Sequence, residues 1–511
     1  MIPEIRTGEG IPTLYVNGEP FFARSGEIHN SGASDPEYMD EHVWPALREL
    51  NMNALIVPLY WEKIEPEEGI YDFTLADSLI SQARREGMHL IFLWFGLWKN
   101  GESMYVPGWM KTDTETYFRA KKVSGEPVDT ISPLCEAAVK KDAAAFAAVM
   151  EHIREVDEAE STVIFVQVEN EIGLLGTDRD YGEKANEMFA GQIPECLQQV
   201  YQKCGTWQEV FGEDAAESFM AYQFAAAVET ITRAGRERYP LPCYANSWLK
   251  QYPWYAGSYP SGGPAVSVHA IWKAAAPSLF TLAPDIYVPY VPEIMEQYGY
   301  EGNPLVIPEV RKDAVTSSYA LYAFAGKNAV CYSPFGIEEL ALSPDEIERP
   351  PMELMAALNI DPSAFETAGS SGYLSRTYEM IDQMMPLYLK YRGTGKIFCF
   401  VRRSETDYGT FFRSRDYDIA VAYAPREKEK PVASGVIFEL EPGHFLIGGM
   451  MCSLEFRVKS GENKKVNLIR LEEGEVINGE WKPGRTLNGD EKSVLKFGAM
   501  PGWLSVELFK Y

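Results

Sequence analysis

Two glutamates stand where buried strands should simply end. The run VIFVQVENEIG (163–173) is apolar-dominated for six residues and then closes on Glu169-Asn170-Glu171. Such a run reads as a strand buried in a parallel sheet. Burying an unpaired carboxylate is expensive, so these acids belong at the mouth of something rather than in a core. A second acid, Glu309, ends the run PLVIPEV (304–310). Two carboxyl groups held about 5–5.5 Å apart can hydrolyse a glycosidic bond with retention, one as nucleophile and the other as general acid and then base. Their mutual repulsion raises the pKa of one, which keeps its proton while the other stays ionised. Asn170, beside the acid, is of a type that hydrogen-bonds a sugar 2-hydroxyl.

Something must bring these strand ends together. Eight strand-like runs occur in order: 21–29, 53–61, 90–96, 163–171, 241–249, 284–290, 304–310 and 329–336. Helical stretches separate several of them. In SDPEYMDEHVWPALRELN, Asp35 can cap, Pro36 suits the first helical position, and Val43, Leu47 and Leu50 recur at helical spacing. This alternation predicts an α/β fold, a (β/α)8 TIM barrel longer than the typical 250 or so residues. After about residue 393 the style changes to short strands broken by Gly, Asn and charged turns, as in KIFCFVRR, YDIAVAYA and GWLSVELFK. That pattern predicts an all-β sandwich. The expected division is a catalytic barrel over 1–392 and a C-terminal β-sandwich over 393–511.

A barrel's chemistry sits at the carboxyl ends of its strands. That rule collects Glu27 and His29, then Tyr60, Trp61 and Glu62, then Trp94, Trp98, Lys99 and Asn100. It adds Asn170 and Glu171, Asn246 and Trp248, Asp285 and Tyr287, Glu309, and Tyr332 and Ser333. Acids, amides and aromatics on one rim make a poor core and a good sugar pocket. Glu169 reads as structural, since alternation points it away from Asn170. Glu62 is balanced between a sugar hydroxyl and the fixing of its loop.

The rest of the composition narrows the class. The chain has 511 residues, a net charge of −27 and no long basic stretch, so nucleic acid and anionic membranes are poor partners. No run of 18 apolar residues is present, so no membrane span is expected. The start MIPEIRTGEGIP lacks the charged and apolar regions of a secretory signal. Seven scattered cysteines without a CxxC fit reduced thiols, and the expected location is cytoplasmic. Six histidines form no HExxH or other metal spacing, so neither metal nor cofactor is expected. No GxSxG follows a strand, which leaves a serine hydrolase without support. The oligomeric state is open, and a homo-oligomer is allowed.

The motifs SGEIH (25–29), LYWEKIEPEEGIYDF (59–73), VQVENEIG (166–173) and VIPEV (306–310), taken in order, resemble glycoside hydrolase family 35, the β-galactosidases. The resemblance spans roughly residues 10–340, within the large superfamily of retaining glycosidases on (β/α)8 barrels. The β domain after about residue 395 looks like that of a branch with a compact C-terminus. The resemblance implies that Glu171 is the acid/base and Glu309 the nucleophile. It implies that Asn170 holds the 2-hydroxyl and that Tyr287 hydrogen-bonds the nucleophile. Trp248, Tyr332 and the 94–102 segment, with Trp98, Lys99 and Asn100, would shape the sugar site, with Tyr60 and Glu62 beside them.

Two departures bear on the sugar. Ile172 follows the Asn-Glu pair where the family usually has an aromatic, and GLWKNGESMY replaces the usual segment after strand three. The implied activity is a retaining exo-β-galactosidase acting on short oligosaccharides. A β-glucosidase or a transglycosidase, moving glucosyl or galactosyl groups to a sugar acceptor, is the alternative. A non-catalytic sugar-binding protein is disfavoured because both carboxylates are intact.

Overall fold

The computed structural model describes residues 1–8, 10–347, 351–493 and 495–511. Its centre is an eight-stranded sheet of β1 (Ala23–Arg24), β2 (Ala54–Tyr60), β3 (His89–Lys99), β4 (Val163–Asn170), β5 (Cys243–Ser247), β6 (Thr281–Ile286), β7 (Val306–Val310) and β8 (Cys331–Pro334). The order 1-8-7-6-5-4-3-2 is that of a parallel (β/α)8 barrel. Every residue of β2 and β4 is buried, which is why these strands read as unbroken apolar runs instead of alternating ones.

The first strand is shorter than the 21–29 run suggested. Only two residues pair regularly with β8, and Glu27 then bridges both Ile56 on β2 and Phe335 beyond β8. The Ile56 N–H donates to the Gly26 carbonyl and the Glu27 N–H to that of Pro334, each at 2.9 Å. The ring therefore closes through residues 26–28. A long helix (Ser370–Tyr391) seals this seam, its Tyr378 hydroxyl donating to the carbonyls of Ser25 and Tyr332 at 2.7 and 3.1 Å.

The sixth strand begins three residues earlier than its sequence suggested. Pro284 lacks a donor and marks a strand start on sequence grounds. Here it lies inside the strand, opposite Ser247, and the ladder begins at Thr281. Asp285 thus stands in the sheet and Tyr287 just beyond it. The segment after Asp35 is helical as expected, with the Glu37 N–H capped by Asp35 at 2.9 Å. It widens into a π-turn over Met39–Val43, where Pro45 offers no N–H to the carbonyl four residues back.

From Ile397 onward the chain is antiparallel β, in a six-stranded and a four-stranded sheet. The two sheets bury Ile437, Phe445, Ile447, Leu504 and Val506 between them. The opposite face of the six-stranded sheet sends Val436, Phe438, Leu446, Met450 and Trp503 into the barrel's own core cluster. The helix Thr316–Lys327 lies at this junction and is buried from Thr316 to Ala325, so it is apolar nearly all round. Among the described residues no helix is long and apolar enough to cross a membrane.

Candidate active site

The carboxyl ends of β3 to β7 surround a cavity of about 420 Å³ that contains Glu171 and Glu309. One carboxylate oxygen from each of Glu171, Asp285 and Glu309 lies within 4.8 Å of the others. The local backbone explains how β4 delivers its share. Glu169 and Glu171 adopt left-handed φ values of 62° and 48°, uncommon outside glycine, so strict strand alternation ends here. Asn170 and Glu171 both reach the cavity wall, and Glu169 turns behind it.

Behind that wall β3 bulges. Trp94 pairs with Val168 and Lys99 with Asn170, so the residues between them on β3 lack regular partners on β4. Their free backbone donors are taken by two buried acids. The Leu97 N–H donates to Asp142 Oδ2 at 2.8 Å and the Trp98 N–H to Glu169 Oε2 at 2.7 Å. Burial pushes the Asp142 carboxyl up to about 6, and burial with the Asp142 charge raises Glu169 well above the carboxylate range. The acid that sequence alternation assigned to structure holds the bulge in shape.

The bulge sets Lys99 against Asn170. The Lys99 ammonium donates to Asn170 Oδ1 at 2.8 Å and to Asn100 Oδ1 at 2.7 Å. An ammonium has no acceptor, so this contact fixes which end of the Asn170 amide is oxygen. The Asn170 amide nitrogen then donates to Glu309 Oε1 at 3.3 Å. The Tyr287 hydroxyl donates to Glu309 Oε2 at 2.8 Å, so both oxygens of Glu309 are held. On the acid's side, the Glu171 N–H donates to Asn246 Oδ1 at 3.0 Å, and Trp248 and Asp285 stand against its carboxyl.

These contacts separate the carboxyls electrostatically. Burial first, and the neighbouring Glu309 charge second, push Glu171 up to about 7. Burial and the same charges raise Asp285 and Glu27 well above the carboxylate range. A site with a raised acid, Glu171, beside a second carboxyl held by hydrogen bonds can run acid–base and nucleophilic steps together.

Of the residues singled out from sequence, Glu171, Glu309, Lys99, Asn100, Trp248 and Tyr287 line this cavity, and Asn170 is buried against it. Four others do not belong to it. Tyr60 is buried on Phe95 and Tyr105, and its hydroxyl donates to the Asn30 carbonyl at 2.7 Å. Glu62 sits on the outer rim, paired with Lys111 at 2.9 Å. Trp98 is carried inward by the bulge, where its indole N–H donates to the Ile131 carbonyl at 2.9 Å. Tyr332 points outward from β8, and its hydroxyl is taken by Thr316. Of the strand-end residues given no role from sequence, Asp285 lines the cavity and Asn246 is buried against Glu171 and Glu309. Sequence reasoning missed Trp254 and the segment 354–360, which carry no motif.

The fold and geometry agree with the chain's family matches. Residues 13–253 match the model of glycosyl hydrolases family 35, just under half the chain, a stretch that contains Glu171 and stops before Glu309. The chain carries a glycoside hydrolase domain. Beyond this domain, residues 374–498 match a domain of unknown function, DUF5597. No curated protein matches the chain.

Three solved β-galactosidases are among the structures the chain is similar to. The one from Bacillus circulans sp. alkalophilus is 10% identical at TM-score 0.49, with 95% of this chain and 99% of that one covered. That from Rahnella sp. R3 is 15% identical at 0.43, covering 61% and 50%, and that from the psychrophilic Marinomonas ef1 is 14% identical at 0.44, covering 70% and 59%. The chain thus spans only half the length of the Rahnella enzyme.

Proposed function

We propose that the chain is a retaining exo-β-glycosidase that removes terminal β-galactosyl groups. The observation that carries this reading is the closeness of Glu171 and Glu309, within 4.8 Å, together with a Glu171 carboxyl that keeps its proton to about pH 7. A short separation suits direct attack, whereas inverting enzymes keep about 6.5–9.5 Å for a water. Glu309 attacks the anomeric carbon while Glu171 protonates the departing oxygen, giving a glycosyl-enzyme. Water, deprotonated by Glu171, then releases the sugar and restores both carboxyls. Asn170, its amide oriented by Lys99, is placed to meet the 2-hydroxyl, and Tyr287 steadies the nucleophile. No step requires a metal or cofactor. The free thiols, buried at Cys135, Cys243, Cys331 and Cys452, support a reducing, cytoplasmic setting.

Incubation with activated 2-deoxy-2-fluoro-β-galactoside and, separately, its gluco analogue tests the reading through intact-protein mass. A galactosyl adduct on the peptide carrying Glu309 is the expected result. A glucosyl adduct alone keeps the mechanism and replaces the sugar. Longer oligosaccharides at high acceptor concentration would make it a transglycosidase. Absence of any adduct from a folded protein would count against the double displacement.

A further inference from the structure

The cavity has two chemically different halves. Its depth is polar, with Lys99, Asn100, Glu171, Asp285, Tyr287 and Glu309. Its mouth is apolar. Leu249 and Trp254 lie on one side, beyond the Trp248 that stands against Glu171, and Leu354, Met355, Leu358 and Ile360 lie on the other. Among the described lining residues the mouth has no charged group, and its polar members are the amides Gln251 and Asn359. Gln251 Oε1 already accepts from the Tyr290 hydroxyl at 3.2 Å. Leu354 lines the cavity while 49% exposed, and the half-buried Trp254, Leu358 and Ile360 line it too. Apolar side chains left in water around one opening mark a binding surface.

A single sugar on the two carboxylates uses the polar half, so whatever is linked to it must occupy the mouth. A second sugar there would press one edge of hydroxyls against the aliphatic wall of Leu354, Met355, Leu358 and Ile360, with two amides as its polar partners, which is unfavourable. We propose that the mouth binds the leaving group of the substrate, and that this group is apolar: an aromatic or alkyl aglycone, not another sugar. The inference rests on the glycosidase reading and deepens it, naming the substrate as the glycoside of an apolar alcohol. Cleavage of the anomeric C–O bond, with the proton from Glu171 going to the departing oxygen, releases that alcohol. Water then takes the sugar from Glu309.

Octyl and methyl β-glycosides test this, in whichever sugar series the fluorosugar trap selects. Both leaving groups are simple alkanols of similar acidity, so the comparison reports binding. With each buried methylene contributing favourably, kcat/KM for the octyl glycoside should exceed that for the methyl glycoside by roughly tenfold or more. It should exceed that for the corresponding disaccharide too. Leu354→Asp, at a half-exposed position, should cut the octyl-to-methyl ratio by roughly fivefold, read within one preparation so that any general loss cancels. A ratio within about twofold of one, or a preferred disaccharide, overturns the proposal. If no adduct forms and neither glycoside is turned over, the glycosidase reading fails. Calorimetric binding of the two glycosides then decides the mouth separately, with octyl favoured sustaining it and equal or absent binding overturning it.

Discussion

Glu171 is buried beside a second carboxylate and keeps its proton up to about pH 7. As the proposed acid of the first step it must be protonated in the free enzyme, so kcat/KM should fall about tenfold per pH unit above that value. Glu171→Gln should lose about 10²–10⁴-fold in kcat on unactivated glycosides and regain turnover when the leaving group needs no proton. The same burial has a thermodynamic side. The folded pKa lies above the ordinary 4.5, so the stability linked to this proton is whole below about pH 4.5 and is lost as pH rises through about 7. The full difference is about 3 kcal/mol. Glu171→Gln should therefore melt roughly 2–4 °C above the wild type at pH 8, with no gain at pH 4.5, by calorimetry. Both carboxyls were legible in the sequence because an acid closing a buried strand has few bland explanations. Tyr60, Trp98 and Tyr332 were misread for a related reason. An aromatic near a strand end faces the cavity or the helical layer according to a register that residue type does not reveal.

The element that orients the site is the bulge on β3, and Gly96 is its tightest point. A Cβ there would meet Asp142 Oδ2 and the Trp94 indole nitrogen at 2.5 Å and Glu169 Oε1 at 2.6 Å. Gly96→Ala should destabilise by about 1–3 kcal/mol in denaturant melts. It should also lower kcat more than it raises KM, because Lys99 would no longer hold the Asn170 amide. A normal kcat with a lowered melting temperature would separate the bulge from catalysis. Sequence patterning exposed all eight strands, since burial on both faces leaves an apolar run. It could not expose the bulge, whose shape depends on Asp142 from a helix 45 positions away from Leu97. The apolar mouth was equally hidden, because a short helix such as Met352–Ala357 carries no chemical motif.

At the scale of the whole molecule, the barrel and the β domain share one core. The Ser318 hydroxyl donates to the Val432 carbonyl at 2.8 Å, and the Ser434 hydroxyl donates back to the Ser318 carbonyl at 2.9 Å. Arg403 pairs with Glu296 across the same junction. A chain ending at residue 392 would uncover the apolar side of the Thr316–Lys327 helix. That truncation should bind a hydrophobic dye and aggregate, while the full chain should unfold in a single calorimetric transition; a truncated barrel that stays folded and active would contradict the shared core. The change of style near residue 393 was plain in the sequence, but the two-faced burial of the six-stranded sheet was not, because pairing partners come from distant segments. The seam of the barrel has a temporal consequence. Ser25 is clasped by Tyr378, 353 positions later, which a ribosome adding about 5–20 residues per second reaches only after roughly 20–70 s. Throughout that interval Glu27 waits in water as an anion. Burial in the closed ring raises its pKa well above the ordinary range, so the shutting of the seam is also the moment at which this carboxylate loses its water and its charge becomes costly.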